Sequence, residues 1–371
     1  MISILESGDK ISLHDAGGRT FYFKISRLID SGASVRCYKA KRRDKSGILR
    51  QVKVKGAAVE NYLRSYALLR DAMLENEAIK SFIPSIEIYY DADEQPYVWS
   101  DEPELVTFEK LCVDFQKNPQ PDAAYNLVLA LNAIKYLTQC VCELHNLRLI
   151  HRDIKPSNFG FVRRGDEILT QTVSLFDVDS ICSVFAEPHI RVFTPGFSEL
   201  GSRADNLSDI YSIGATLFAA LIGKPYDDRD FDDIKNLVDD CPIVSNVIGL
   251  YVRLRALIVK ILRGCLDDRE RRYQSCEELL IDINAALDYA VPSELQTRIN
   301  SGEHLVWTDV RRFLETHRRK DFGACLQYHL YETPLYRWRQ NESGALNVLI
   351  IGSDDRAQTF RRRRVVKRRR R

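Results

Sequence analysis

The sequence predicts an α+β chain, strand-rich in its first hundred residues and helical after that. Three observations carry this reading. Up to Pro103, short runs alternate apolar and polar residues between turn signals; beyond it, apolar residues recur at helical spacing; and residues 209–222 are apolar nearly all round, as in a helix at a domain centre.

Residues 20–28 (TFYFKISRL) alternate as a strand does, and Gly17-Gly18 before them signals a hairpin. Residues 35–41 and 49–54 form a second pair of strand-like runs, joined by a polar turn from Arg42 to Gly47. From Val59 to about Lys80 the pattern turns helical, and Pro84 ends it. Two further strands follow at 86–90 and 96–100. In the second part, Leu127, Leu131, Ile134, Val141 and Leu144 fall on one side of a long helix over 123–145. The apolar helix at 209–222 is closed by Gly223 and Pro225. Residues 247–264 and 275–289 read as amphipathic helices, and Pro292 marks a boundary. Beyond it the pattern predicts a helix over 305–318, an aromatic stretch and an apolar strand at 346–351. There is no internal repeat.

The chain has 371 residues, with 54 Lys+Arg against 52 Asp+Glu for a net +2. That total hides an uneven distribution. The last eleven residues, Arg361 to Arg371, hold eight Arg and one Lys, so the first 360 carry 45 basic and 52 acidic residues, a net −7. A body built throughout for nucleic acid is thereby excluded, because such domains carry a basic face within the fold. At 45% hydrophobic the chain can bury a large core, and its length suggests roughly two or three folding units. No run of about 18 apolar residues occurs, and MISILESGDK lacks the charged-then-apolar pattern of a signal peptide, so the expectation is a soluble, cytoplasmic protein without a transmembrane segment. Nine cysteines, an odd number without a CxxC pair, read as reduced thiols rather than a disulfide framework or a zinc site.

The sharpest local signal is the octet His151-Arg152-Asp153-Ile154-Lys155-Pro156-Ser157-Asn158, directly after a short strand-like run at 148–150. Phosphoryl transfer needs a carboxylate to orient an attacking hydroxyl, a cation near the moving phosphate, and oxygen ligands for magnesium. An Asp, a Lys two residues on and an Asn five residues on supply all three from one loop. Twenty-four residues after Asp153, Leu175-Phe176-Asp177-Val178-Asp179 places a second Asp at a strand end, suited to chelating magnesium between phosphates.

With these motifs the sequence resembles the eukaryotic-like Ser/Thr protein kinases over about residues 20–290. The resemblance implies the two-lobed protein kinase fold: a β-rich first lobe (1–103) with one main helix, a helical second lobe (104–291), a C-terminal extension of unknown role (292–360) and the basic tail (361–371). HRDIKPSN matches the family's catalytic loop, which implies Asp153 as catalytic base, Lys155 as a phosphate contact and Asn158 as a magnesium ligand. Asp177 is similar to the Asp of the DFG motif and would be the other metal ligand. The segment from Ser208 to Gly214 matches the central-helix pattern DxYSxG, with Asp209 bracing the catalytic loop. The segment from Asp268 to Tyr273 resembles DPxxRY, whose Arg is structural.

In the first lobe, residues 28–40 line up with the glycine-rich loop and its following strand, and Gly32 alone of the three glycines survives. Arg50-Gln51-Val52-Lys53 takes the place of VAIK, making Lys53 the lysine that holds the α- and β-phosphates, with Lys55 as the register alternative. Its helix partner is assigned to Glu75, with Glu77 and Glu60 open. The adenine-binding hinge falls near Trp99 to Glu102, which puts Asp101 among the nucleotide-binding residues. The implied cofactors are ATP and Mg2+, and the implied substrate is a protein Ser or Thr. Departures are Asp30 and Val35 at glycine positions, Val178-Asp179 for Phe-Gly, and a missing APE after Thr194-Pro195-Gly196, for which Glu199 is the substitute. Arg152 implies control by phosphorylation at Ser180, Ser183 or Thr194; the plain reading is ordinary loop hydroxyls, or a substrate-positioning role for Thr194.

Two other classes stay open: a kinase-fold binding module without turnover, and a small-molecule phosphotransferase. Seven aspartates between Asp227 and Asp240 would flank the family's substrate groove, favouring a basic substrate or the chain's own tail; otherwise they form a solvated loop. The tail reads as an attachment to nucleic acid or an anionic membrane, a nuclear address, or a remnant following a strand that does not continue, as in a truncated chain.

Overall fold

The structure, a computed structural model, describes residues 4–32, 34–101, 105–117, 123–164, 167–184, 193–199, 205–245, 252–290, 336–340 and 346–350. The first part is a closed six-stranded barrel of β1 (Lys10–His14), β2 (Thr20–Ser31), β3 (Val35–Arg42), β4 (Lys45–Val52), β5 (Ile86–Tyr90) and β6 (Pro96–Asp101), in the order β1-β2-β3-β4-β6-β5. β1, which the sequence reading missed, pairs with β2 across the Gly17-Gly18 turn and touches β5 at His14↔Tyr90, closing the barrel.

Inside lie Leu13, Phe23, Ile25, Tyr38, Leu49, Tyr89, Tyr97 and Trp99, all buried. The turn between β3 and β4 is shorter than expected. Arg42 pairs directly with Lys45, leaving Arg43 (φ 54°) and Asp44 as the turn. Gly47 therefore sits inside β4, not in a turn, and it must be glycine: a Cβ there would lie 2.4 Å from the Trp99 ring.

Helix α1 (Ala57–Glu75) follows β4 and ends five residues before the predicted limit, where a short 3₁₀ turn, Glu77–Ser81, takes over. After the barrel come β7 (Leu105–Thr107), α2 (Phe108–Lys117), α3 (Ala123–Asn146), β8 (Leu149–Ile150), β9 (Phe159–Arg164), β10 (Glu167–Leu175) and β11 (Cys182–Ser183). They are followed by α4 (Asn206–Ile222), α5 (Ile234–Asp240), α6 (Pro242–Ser245), α7 (Val252–Leu266) and α8 (Cys276–Ala290).

The five apolar residues that predicted α3 are all buried. Among the described residues α3 alone contains a stretch long and apolar enough to cross a membrane, Asn126–Asn146, and 78% of its most apolar window is packed inside the protein. α4 starts three residues earlier than predicted because Asp205 caps it: its carboxylate accepts from the backbone N–H groups of Leu207 (3.0 Å) and Ser208 (3.2 Å). Gly223 at φ 83° ends it. Being apolar all round, α4 is the post around which α2, α3, α5 and α7 pack.

The strand expected at 346–351 is present as β13 (Leu346–Ile350), paired antiparallel with β12 (Tyr336–Gln340). The helix expected over 305–318 and the tail at 361–371 lie outside the described residues. The eight described cysteines are all free.

Candidate active site

The catalytic-loop octet lies between β8 and β9, and the segment after Asp177 returns beside it through the β8–β11 pairing (Ile150↔Cys182). Two buried groups hold the loop's shape. Asp209 projects from α4 and accepts from the backbone N–H of His151 (2.8 Å), the backbone N–H of Arg152 (2.8 Å) and the His145 ring at 3.0 Å. Burial alone would raise its pKa, but these donors and His145 hold it below the usual carboxylate range. They also hold Arg152 at φ 72°, a left-handed conformation that a non-glycine residue keeps only when its surroundings fix it. His151 is fully buried, and burial lowers its pKa, favouring the neutral imidazole.

The carboxylate of Asp153 is the focus of the loop and is 6% exposed. Its Oδ2 accepts from Lys155 Nζ (2.8 Å) and Asn158 Nδ2 (2.8 Å), and its Oδ1 accepts from Thr194 Oγ1 (2.8 Å). Asn158 reaches back to the Asp153 carbonyl as well (2.8 Å), and its own carbonyl accepts from the Phe176 N–H (2.7 Å). Asp153, Lys155, Asn158, Thr194 and the segment just after β10 that carries Phe176 and Asp177 thus form one hydrogen-bonded assembly.

A cavity of about 180 Å³ is lined among others by Ile48, Arg50, Tyr66, Ser100, Asp101 and Asp177, and it meets the catalytic loop through Phe176, which is hydrogen-bonded to Asn158. Asp177 sits at φ 50°, ψ 50°. Burial and the neighbouring Asp177 carboxylate push Asp179 up to about 6.

Here the structure departs from the expected register. Lys53 lies one residue past the end of β4, outside the cavity lining, with its ammonium on the Gly32 carbonyl. Arg50 is the cation that lines the cavity: it pairs across the sheet with Cys37, and its guanidinium donates to Ser100 Oγ (2.8 Å). Burial disfavours its charge, but a guanidinium stays protonated in proteins, and the nearby Asp177 carboxylate favours the charged form.

The reason is the parity of the strand. Leu49 and Gln51 point into the barrel, so Ile48 and Arg50 point to the cleft, and Lys53 begins after the strand has ended.

The helix partner assigned to Glu75 is corrected too. Glu75 is the last residue of α1 and is exposed, as are Glu60 and Glu77. The α1 residue that lines the cavity is Tyr66, whose hydroxyl lies 3.3 Å from that of Tyr62. Nothing in sequence spacing marks two tyrosines as replacing an ion pair.

Asp101 lines the cavity at the end of β6, with its carboxylate taken up by Lys45 (2.7 Å) and the Trp99 indole N–H at 2.9 Å. Ser180 is buried and donates to the His151 carbonyl (2.7 Å), so its hydroxyl is not presented for modification. Glu199 accepts from Arg272 (3.1 and 3.2 Å) and pairs with Arg269, which also reaches the α4 cap Asp205. It is the acid that meets the structural arginine.

For a magnesium ion, Asn158 and Asp177 offer hard oxygen donors, and magnesium is normally held by one or two carboxylates completed by phosphates and water. Among the described residues no cluster of three or more His, Cys, Asp or Glu could hold a metal alone. The donor set fits an ion brought in with a nucleotide.

No family model matches the chain. By sequence it is similar to the Ser/Thr protein kinase PrkC of Bacillus subtilis, 26% identical over 184 residues, 47% of this chain and 28% of that protein. It is similar also to the probable Ser/Thr protein kinase PknB of Lactococcus lactis, 28% identical over 162 residues, 41% of this chain and 25% of that protein. The matches thus span about a quarter of each relative's length.

Among solved structures, the BubR1 kinase domain superposes with a TM-score of 0.56 at 17% identity, covering 77% of this chain and 85% of that one. The ROP18 kinase domain in complex with AMP-PNP and sucrose gives 0.57 at 14% identity, covering 76% and 85%. ROP2 from Toxoplasma gondii, described as having a protein-kinase fold and no enzymatic activity, gives 0.53 at 15% identity, covering 76% and 87%. At these identities the structural likeness concerns the fold. The sequence likeness is to Ser/Thr protein kinases, and the structural likeness is to the protein kinase fold.

Proposed function

We propose that the chain is an ATP-dependent Ser/Thr protein kinase, with a division at about residue 103 between its two lobes and one at about residue 291 between the lobes and the extension. The observation that carries the reading is the Asp153 carboxylate, fixed by Lys155, Asn158 and Thr194 on a loop whose Asn158 carbonyl binds Phe176, a residue of the cavity lining that also includes Arg50 and Asp177. A carboxylate has about four lone-pair positions. Three are taken here, and the fourth is left to orient a substrate hydroxyl and take its proton as the phosphate arrives.

In this proposal Arg50 and Lys155 neutralise phosphate charge, Asp101 marks the hinge, and Asn158 and Asp177 would hold Mg2+, which screens the phosphate oxygens when bound. Because catalysis of this kind rests on positioning and electrostatics, the preformed loop matters more than any single nucleophile. The test is incubation with γ-labelled ATP and generic protein substrates. Transfer to Ser or Thr that is lost in Asp153→Asn supports the reading, and label unaffected by that change sinks it.

One observation favours a second reading, a nucleotide-binding module with little turnover. The lysine of the phosphate-holding position is Arg50, and the glutamate of the helix is absent from the cavity. Nucleotide binding without transfer in the same experiment would select it. For the tail, the proposal is an electrostatic contact with an anionic surface. Removing Arg361 to Arg371 is expected to leave nucleotide binding intact and abolish salt-sensitive association with anionic vesicles or RNA.

A further inference from the structure

A kinase cleft works only when the helix beside it is docked, and here no carboxylate of that helix lines the cavity with Arg50. Something else must hold α1 in place. Ser65, 6% exposed, lies between Tyr62 and Tyr66 on the inner face of the helix. Its hydroxyl is 2.7 Å from the carbonyl of Asp179 and 2.6 Å from the carbonyl of Ile181, so its single proton is shared between two acceptors of the segment that follows Asp177. That segment is tied onward. Ser180 Oγ donates to the His151 carbonyl (2.7 Å), and Cys182 pairs with Ile150, the residue before the catalytic loop. A continuous path of hydrogen bonds therefore runs from α1 through residues 179–182 to the loop carrying Asp153.

Resting on the kinase reading above, we infer that Ser65 is a positioning residue that latches α1 to the catalytic segment, independently of the charge of Arg50. The two functions that one lysine–glutamate pair combines in the family are divided in this chain. Arg50 serves the nucleotide, and Ser65 serves the placement of the helix. The division has a kinetic signature, because losing the phosphate cation weakens nucleotide binding whereas losing the latch reduces the fraction of molecules with the helix docked.

The experiment compares Ser65→Ala, Ser65→Thr and Ser65→Cys in the full chain, by steady-state kinetics with varied ATP and by hydrogen–deuterium exchange without nucleotide. For Ser65→Ala the expected result is a fall in kcat of about tenfold, the worth of one net hydrogen bond, with the KM for ATP unchanged. Amide exchange should accelerate in α1 and in residues 178–183. Ser65→Thr, which keeps the hydroxyl, should recover most of both signals, and Ser65→Cys, which keeps the volume with a weak donor, should resemble Ala. Should the alanine variant fail to fold, the cysteine variant carries the same comparison. Unchanged kcat and unchanged exchange in Ser65→Ala, or a threonine variant as impaired as the alanine one, would overturn the latch. A wild-type chain without phosphoryl transfer would instead overturn the kinase reading, and the exchange data would then decide the latch alone.

Discussion

Exchanging Arg50 and Lys53 in turn for alanine separates the register seen in the structure from the one that sequence alignment suggests. Arg50 lines the cavity with Asp177 and has one neutral partner, Ser100 Oγ at 2.8 Å, so its charge is available to a bound anion. Truncating a desolvated cation in contact with a phosphate costs about 2–4 kcal/mol, about 30- to 1,000-fold in Kd. Lys53 holds the Gly32 carbonyl at an exposed position, where a charged contact contributes less than about 1 kcal/mol, at most about fivefold. Titration calorimetry with a magnesium complex of a non-hydrolysable ATP analogue reads both numbers directly, with circular dichroism to check folding. Arg50→Lys should retain most of the affinity, because charge is kept and only the second N–H is lost. A Lys53→Ala variant weakened as much as Arg50→Ala would refute the strand-parity argument and return the role to Lys53.

Three further outcomes follow from the packing. Asp209→Asn should destabilise the chain by about 2–4 kcal/mol in urea unfolding, since a buried acceptor of three donors becomes an amide that can satisfy fewer of them. Because the folded pKa of Asp209 is lowered, its stabilisation is complete above the unfolded value of about 4 and is lost as pH falls through the folded value. The wild type should therefore lose stability more steeply than Asp209→Asn below about pH 4. Among the described residues, Glu199→Ala leaves Arg272, 4% exposed, with the Leu207 and Asp267 carbonyls and the Tyr211 ring. A loss of about 2–3 kcal/mol, roughly 4–10 °C in Tm by differential scanning calorimetry, is expected. Gly47→Ala forces a methyl against the Trp99 ring and should cost about 1–3 kcal/mol with a change in tryptophan fluorescence.

The parts of this site that were legible in the sequence are those in which one short segment carries its own geometry. Asp153, Lys155 and Asn158 lie within six residues, so the loop that presents them is read along with them, and the structure brings all three together. α4 was legible because a helix apolar on every side has only the domain centre to occupy, and its brace Asp209 came with it. The cleft cation was not legible in the same way, because its identity depends on which face of a strand a residue takes, and that parity is fixed by a turn elsewhere. A six-residue turn from Arg42 to Gly47 leaves the register of β4 free, and the family pattern then points to Lys53. With the two-residue turn at Arg43 and Asp44, Cys37 must pair with Arg50, and β4 then carries Arg50 to the cleft. The signal was present in Ile48-Leu49-Arg50-Gln51-Val52, where Leu49 faces the barrel core and Gln51 bonds Tyr97 inside it (2.9 Å), leaving the even positions for the cleft. The helix partner lay further out of reach. The family pattern points to Glu75, but the residue facing the cavity is set by the helical phase that buries Tyr62, Tyr66 and Leu69, and that phase places Tyr66, not a carboxylate, in the lining with Arg50. A charge-based search looks for the ion pair the family uses, and so it passes over a chain in which an uncharged serine between two tyrosines is the group that meets the catalytic segment.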